Sequence, residues 1–184
     1  ENSTETPSTS KQLVLAKYLV NELKSIGCSD VFVDQYGIVY ATIPSNVEEK
    51  VDSIGLIAHM DTSPDCSGAN IKPRIISKYD GSDIILNENT IMKVEDFPTL
   101  KENIGDELIV TDGTTLLGAD DKAGIAIIVE TAYRLINDKK IKHGDIKIAF
   151  TPDEEVGRGT ENFDVKYFNC DYAYTLDGGD IFTI

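Results

Sequence analysis

Four short stretches carry side chains able to bind a cation and move a proton: His59-Met60-Asp61, Gly118-Ala119-Asp120-Asp121, Asp153-Glu154-Glu155 and Asp177-Gly178-Gly179. Together they offer one imidazole and a surplus of carboxylates. Carboxylates gathered without a counter-charge repel one another and raise their own pKa values. A bound divalent cation removes that cost. The donors are nitrogen and oxygen without thiolate, which suits zinc, manganese or cobalt better than calcium. Residues two apart in an extended segment face the same way. His59 and Asp61 therefore point together, and His59 can hold a metal through one ring nitrogen while Asp61 fixes the other. The adjacent Glu154 and Glu155 invite a division of labour, one ligating the metal and the other taking a proton from metal-bound water.

Each stretch alone has a plainer reading. A single His at a strand end is ordinarily structural. An Asp before a helix is by default an N-cap at favourable dipole potential. A Glu-Glu pair is ordinarily solvated surface, and Asp177-Gly178-Gly179 is a good turn signal. What shifts the balance is shared placement, which depends on the elements that carry the stretches.

Leu13, Ala16, Val20 and Leu23 mark a helical face, with Thr9 and Gln12 as a capping box at its start and Gly27 as its C-cap. Val31-Phe32-Val33 and residues 38–43 read as strands around Tyr36-Gly37, a hairpin. Ile54-Gly55-Leu56-Ile57-Ala58 is a continuous apolar run of strand length, as in strands buried on both faces. Residues 64–115 are broken by Pro64, Pro73 and Pro98. They read as a long excursion with short strands (Ile75-Ile76, 84–86, 107–111) rather than a second domain. Ile125, Ile128, Val129, Ala132 and Leu135-Ile136 mark one face of a second helix. Residues 145–150 alternate as a strand, and residues 172–176 form a last short one. His59/Asp61, Glu154/Glu155 and Asp177 thus each follow the end of a strand, and Asp120 stands at the mouth of a helix. If three of these strands are parallel, their carboxyl ends bring all these groups to one sheet edge, where sites form in open α/β sheets.

Composition excludes other classes. The chain has 184 residues, 41% hydrophobic and 27% charged, and fits one soluble globular domain. A net charge of −15 argues against nucleic acid as a partner, since phosphate binding needs clustered Lys and Arg. No apolar run is long enough to span a membrane. Cys28, Cys66 and Cys170 form no Cys-x-x-Cys and no disulfide framework, which fits a reducing, cytoplasmic setting.

Taken in order, the stretches resemble the M20 family of metallopeptidases. The matching residues are 59–68 (His59-Met60-Asp61-Thr62-Ser63-Pro64-Asp65-Cys66-Ser67-Gly68), 114–124, His143-Gly144-Asp145-Ile146, 150–157 and 174–179. The resemblance covers nearly all of residues 10–180. It implies an α/β fold, a three-layer sandwich with a mixed, largely parallel sheet like other zinc exopeptidase catalytic domains, incomplete in this chain. Residues 1–184 would be the front portion of that catalytic domain, without the lid and dimerisation domain or the domain's last part. It implies two zinc ions. His59 would bind the first, oriented by Asp61; Asp120 would bridge both; Asp177 would complete the first site, and Glu155 would bind the second. Glu154 would be the general base, activating a water between the metals and passing its proton to the leaving amine. The run from His59 favours family members that release the N-terminal residue of tripeptides over dipeptidases and aminoacylases. A small peptide is the implied substrate and a homodimer the implied state of the complete protein. A non-catalytic metal-binding fragment is the remaining alternative. The family draws a further His from later in the domain for the second zinc; His143 precedes a strand and reads as structural. The His59–Asp120–Asp177 side is therefore expected to fill first. Asp121 has no ligand role in the family and reads as a helix cap or a support behind the ligands.

Overall fold

A computed structural model describes residues 3–179. In chain order the elements are α1 (Gln12–Ile26), β1 (Ser29–Val33), β2 (Val39–Ile43), β3 (Ile54–His59), β4 (Arg74–Ile76), β5 (Ile84–Asn87), β6 (Thr90–Met92), β7 (Leu108–Val110), α2 (Ala119–Asn137), β8 (Ile146–Thr151), α3 (Val165–Phe168) and β9 (Tyr172–Thr175). The chain divides into two compact units. One is built from the chain up to Ser63 and from Ala119 onward, the other from Pro64–Gly118.

The first unit holds a five-stranded mixed sheet in the order β1-β2-β8-β3-β9. β1–β2 and β2–β8 are antiparallel, whereas β8–β3 and β3–β9 are parallel. Alternation sorts the side chains to two faces. Val39, Ala41 and Ile43 of β2, Ala58 of β3, and Ile146, Ile148 and Phe150 of β8 join Ala16, Leu19 and Leu23 of α1 and Ile125, Ile128 and Ala132 of α2 in the main core. Tyr40 and Ala149 point the other way, into a smaller core closed by Phe163 and Phe168. Fully burying a side chain such as Phe150 or Ile148 contributes about 1.5–3 kcal/mol. Because both faces are covered, β3 lacks the polar alternation of a half-exposed strand.

The hairpin between β1 and β2 turns where Tyr36-Gly37 was expected. The Asp34 carboxylate accepts the backbone N–H groups of Tyr36 and Ile38, both at 2.9 Å. α1 ends as its sequence suggests: Gly27 sits at φ 106° and its N–H reaches the Leu23 and Lys24 carbonyls. Its start differs from expectation. Lys11, with helical dihedrals and no capping side chain, occupies the N-cap position. Gln12 does not close a capping box with Thr9; its amide instead reaches Ser8 and the buried Asp153. A fully buried carboxylate is a stronger attraction for that amide than a helix end open to water.

The excursion expected at 64–115 is a compact unit of its own. β4 pairs antiparallel with β7, and β5 with β6. Tyr79, Ile84 and Val110 form a separate core with Ile76, Leu86, Met92, Leu100 and Leu108. Its strands are three or four residues long. Each supplies only one or two inward side chains, too few for a periodic signal in sequence. No helix of the described residues is long and apolar enough to cross a membrane.

Candidate metal centre

β8, β3 and β9 lie side by side and parallel, with His59 in register with Thr151 and Ile57 with Thr175. Their carboxyl ends therefore open on one edge. Beyond β3 the ladder continues for one residue, Met60 N–H donating to the Thr151 carbonyl at 2.8 Å, and Asp61 follows. β8 runs through Pro152 and Asp153 into a single 3-10 turn, Glu154–Val156. Past β9, Leu176 N–H donates to the Ile57 carbonyl at 2.8 Å, which delivers Asp177 to the same edge. The start of α2 brings Asp120 and Asp121.

His59 is the floor of this site, its side chain 2% exposed. Nε2 lies 2.9 Å from an Asp120 carboxylate oxygen and 3.8 Å from both Glu154 and Asp177. On the other side, Nδ1 donates to the Asp61 carbonyl at 3.1 Å and lies 3.4 Å from the Asp61 carboxylate. The rim is open: the Asp120, Glu154 and Asp177 side chains are 60%, 49% and 35% exposed. Asp61 serves two masters, since its oxygens also accept the backbone N–H groups of Glu154 and Glu155, each at 3.0 Å. One carboxylate thereby fixes the imidazole and the backbone of the Glu-Glu turn.

The electrostatics follow from these contacts. Burial by itself lowers the His59 pKa, but the hydrogen bonds with Asp61 and Asp120 and the charges of Asp61 and Asp121 outweigh it and lift the imidazole to about 9. Burial likewise works to raise Asp61, and its bonds from His59 and the Glu154 and Glu155 amides overcome that and hold it below the usual carboxylate range. Glu155 is raised, by burial first and then by the charge of Asp120. Among the described residues, His59 is the one basic side chain paired with Asp120, Glu154 or Asp177. The excess of acceptors over cations is what a divalent ion would neutralise.

Two overlapping donor sets could hold such an ion. The ligand atoms of His59, Glu154 and Asp177, and those of His59, Asp120 and Glu155, lie within 4.8 Å of one another. One nitrogen with carboxylate oxygens fits a borderline ion such as zinc. Asp121 stands apart from both sets. It is 2% exposed, and its carboxylate accepts the His59 N–H at 3.0 Å and the Gly124 N–H at 3.1 Å. It therefore both caps the helix and ties α2 to the end of β3. Burial pushes its carboxyl up to about 6. The Asp120–Asp121 peptide is cis, and regular helical dihedrals begin only after Asp121. Gly124 has to be glycine here: a Cβ would stand 2.3 Å from the Asp121 carboxylate and 2.6 Å from the Leu176 carbonyl.

Residues 111–180 match the model for Peptidase family M20/M25/M40. A Peptidase T of Clostridium botulinum is 59% identical over 183 residues, which cover 98% of this chain and 45% of that protein. Over these residues the chain is similar to the M20 family. A Peptidase T of Clostridium novyi is 57% identical over the same share of this chain. Among solved structures, aminopeptidase PepT of Bacillus cereus aligns with a TM-score of 0.69 at 30% identity, over 97% of this chain and 40% of that one. A tripeptidase of Staphylococcus aureus aligns with a TM-score of 0.64 at 26% identity, with the same coverage. The chain thus spans a little under half the length, 45%, of the curated relatives it matches. Metal dependence is general in the M20 family.

All six residues singled out in the sequence, His59, Asp61, Asp120, Glu154, Glu155 and Asp177, meet at this edge. His143 does not. It lies before β8, at the strand's other end, with its ring bonded to the Gly144 carbonyl and its N–H to Asn46. Asp153 escaped the sequence reading, submerged in a run of acids. Its only local signal is that Asp is among the few non-glycine residues tolerant of a left-handed turn after a strand.

Proposed function

We propose that this chain is a member of the M20 family and supplies the front portion of the catalytic domain of a zinc-dependent aminopeptidase that releases the N-terminal residue of tripeptides. The observation that carries the reading is the placement of Glu154. Its carboxylate lies 3.8 Å from His59 Nε2 and its backbone is held by the same Asp61 that faces His59 Nδ1. A base so placed, half exposed beside a metal-binding imidazole, is within reach of water and substrate together. The names of the relatives, Peptidase T and a tripeptidase, support the substrate class.

In this reading His59, Asp120 and Asp177 would hold a first zinc ion, and Asp120 with Glu155 a second. Bound zinc polarises the scissile carbonyl and makes water a nucleophile at neutral pH. Asp61 keeps the His59 ring turned so that Nε2 faces the carboxylates. Glu154 takes the proton of the attacking water and gives it to the leaving amine as the peptide bond breaks. Asp121 anchors the His59 backbone and the start of α2 behind the ligands. The complete protein is read as a cytoplasmic homodimer.

Replacing Glu154 with Gln tests the assignment. Tripeptide hydrolysis should fall about 10²–10⁴-fold, the usual worth of a general base, while zinc content measured by atomic absorption stays unchanged. A variant that keeps its rate removes Glu154 from the mechanism.

A further inference from the structure

Asp153 immediately precedes the Glu154–Glu155 pair but is turned away from it. It is fully buried, and every polar group it has is engaged. The carboxylate accepts the Ser8 N–H at 2.9 Å on both oxygens, the Gln12 side-chain amide at 2.8 Å and the Arg158 guanidinium at 3.4 Å. The Asp153 N–H donates to the Gln12 side-chain carbonyl at 3.1 Å, and its own carbonyl accepts the Arg158 N–H at 2.9 Å. Gln12 thus grips Asp153 at two points, which fixes orientation as well as position.

The backbone makes this grip consequential. Asp153 sits at φ 62°, ψ 24°, in the left-handed region. Residues with a Cβ are uncommon there, even though Asp is among the more tolerant, and the surroundings must hold it in place. The next two amides, of Glu154 and Glu155, both end on Asp61. The turn that carries the two glutamates is therefore clamped between two carboxylates, Asp61 on the side of the metal centre and Asp153 on the side of the N-terminal segment.

We infer that Asp153, held by Gln12 and Ser8, is a positioning residue that sets where Glu154 and Glu155 stand, which makes the chain's N-terminal segment part of the site's support. The roles of the two glutamates rest on the function proposed above; the clamp itself does not. A merely structural Asp153 would tie down residues 5–12 and leave the glutamates where they are.

Three variants separate these cases. Gln12→Met keeps length and bulk and removes both hydrogen bonds to Asp153, with the one to Ser8. Asp153→Gly frees the left-handed backbone of strain and removes the carboxylate. Asp153→Asn keeps shape and part of the hydrogen bonding and should rescue part of the loss. Amide exchange of the 184-residue chain, followed by NMR without metal, should show the Glu154 and Glu155 N–H groups exchanging about tenfold faster in Gln12→Met and Asp153→Gly. Ile148 and Phe150 of β8 should be unchanged. Zinc affinity, measured by chelator competition well below the unfolding midpoint, should weaken about 10–100-fold, as for other groups that orient ligands. If Asp153→Gly or Gln12→Met folds and keeps both wild-type exchange at Glu154 and Glu155 and wild-type affinity, the inference is overturned. A wild-type chain that takes up no zinc would instead count against the proposed function, and amide exchange alone would then decide the clamp.

Discussion

With divalent cations stripped by a chelator, this chain should lose stability as pH rises from about 6 to about 9. Both nitrogens of His59 face acceptors, Asp61 on one side and Asp120 on the other, so the folded site favours the imidazolium. Its pKa stands at about 9 against 6.5 for an ordinary imidazole. A group whose folded pKa lies above its unfolded value contributes stability that is complete below 6.5 and is lost as pH climbs through the folded value. The gap, at about 1.4 kcal/mol per pH unit, amounts to roughly 3 kcal/mol. That is a large share of the 5–15 kcal/mol typical of a whole domain. Urea denaturation at pH 6, 7, 8 and 9 in chelator reads it directly. The loss should be absent in His59→Gln, which keeps Cys28, whose buried thiol, raised to about 11, begins to matter only above this window. Stability that is flat or rising between pH 6 and 9 in the wild type would refute the reasoning, as would the same slope in both proteins.

Zinc binding should release close to one proton at pH 7, because the metal takes the nitrogen that carries a proton below about 9; calorimetry in buffers of different ionisation enthalpy measures it. Asp121→Ala should cost about 2–5 kcal/mol in urea denaturation, since it leaves two buried N–H groups, of His59 and Gly124, without their acceptor. Gly124→Ala should destabilise by more than about 1 kcal/mol in thermal melts even though Ala is the better helix former, because the new Cβ meets the Asp121 carboxylate at 2.3 Å.

The parts of the site that follow long strands were legible in the sequence. The run at 54–58 is apolar throughout and residues 145–150 alternate, each enough to mark a strand on sight, and each leads into the groups of interest. Once they lie parallel, His59 and the Glu154–Glu155 turn have to share an edge. Asp121 was legible in kind, as a cap or a support, and the structure makes it both through Gly124 and His59. Three things were not legible. Gln12 looked like half of a capping box because nothing local reveals a buried acceptor 141 residues away. Asp153 carried no role of its own in the sequence because its partners, Ser8, Gln12 and Arg158, are set by tertiary packing. The unit at 64–118 looked like an excursion because a core assembled from three-residue strands leaves no period to read.

The central claim is that four separated stretches form one zinc centre. Titrating zinc into the chain and into its Asp120→Ala variant tests it most directly. The wild type should show a tight first binding step ahead of a weaker second, and the variant about tenfold or greater weakening of both, since Asp120 faces His59 at 2.9 Å and belongs with Glu155 as well. A variant that binds zinc with the stoichiometry and affinity of the wild type, or a wild type that binds none, would contradict it.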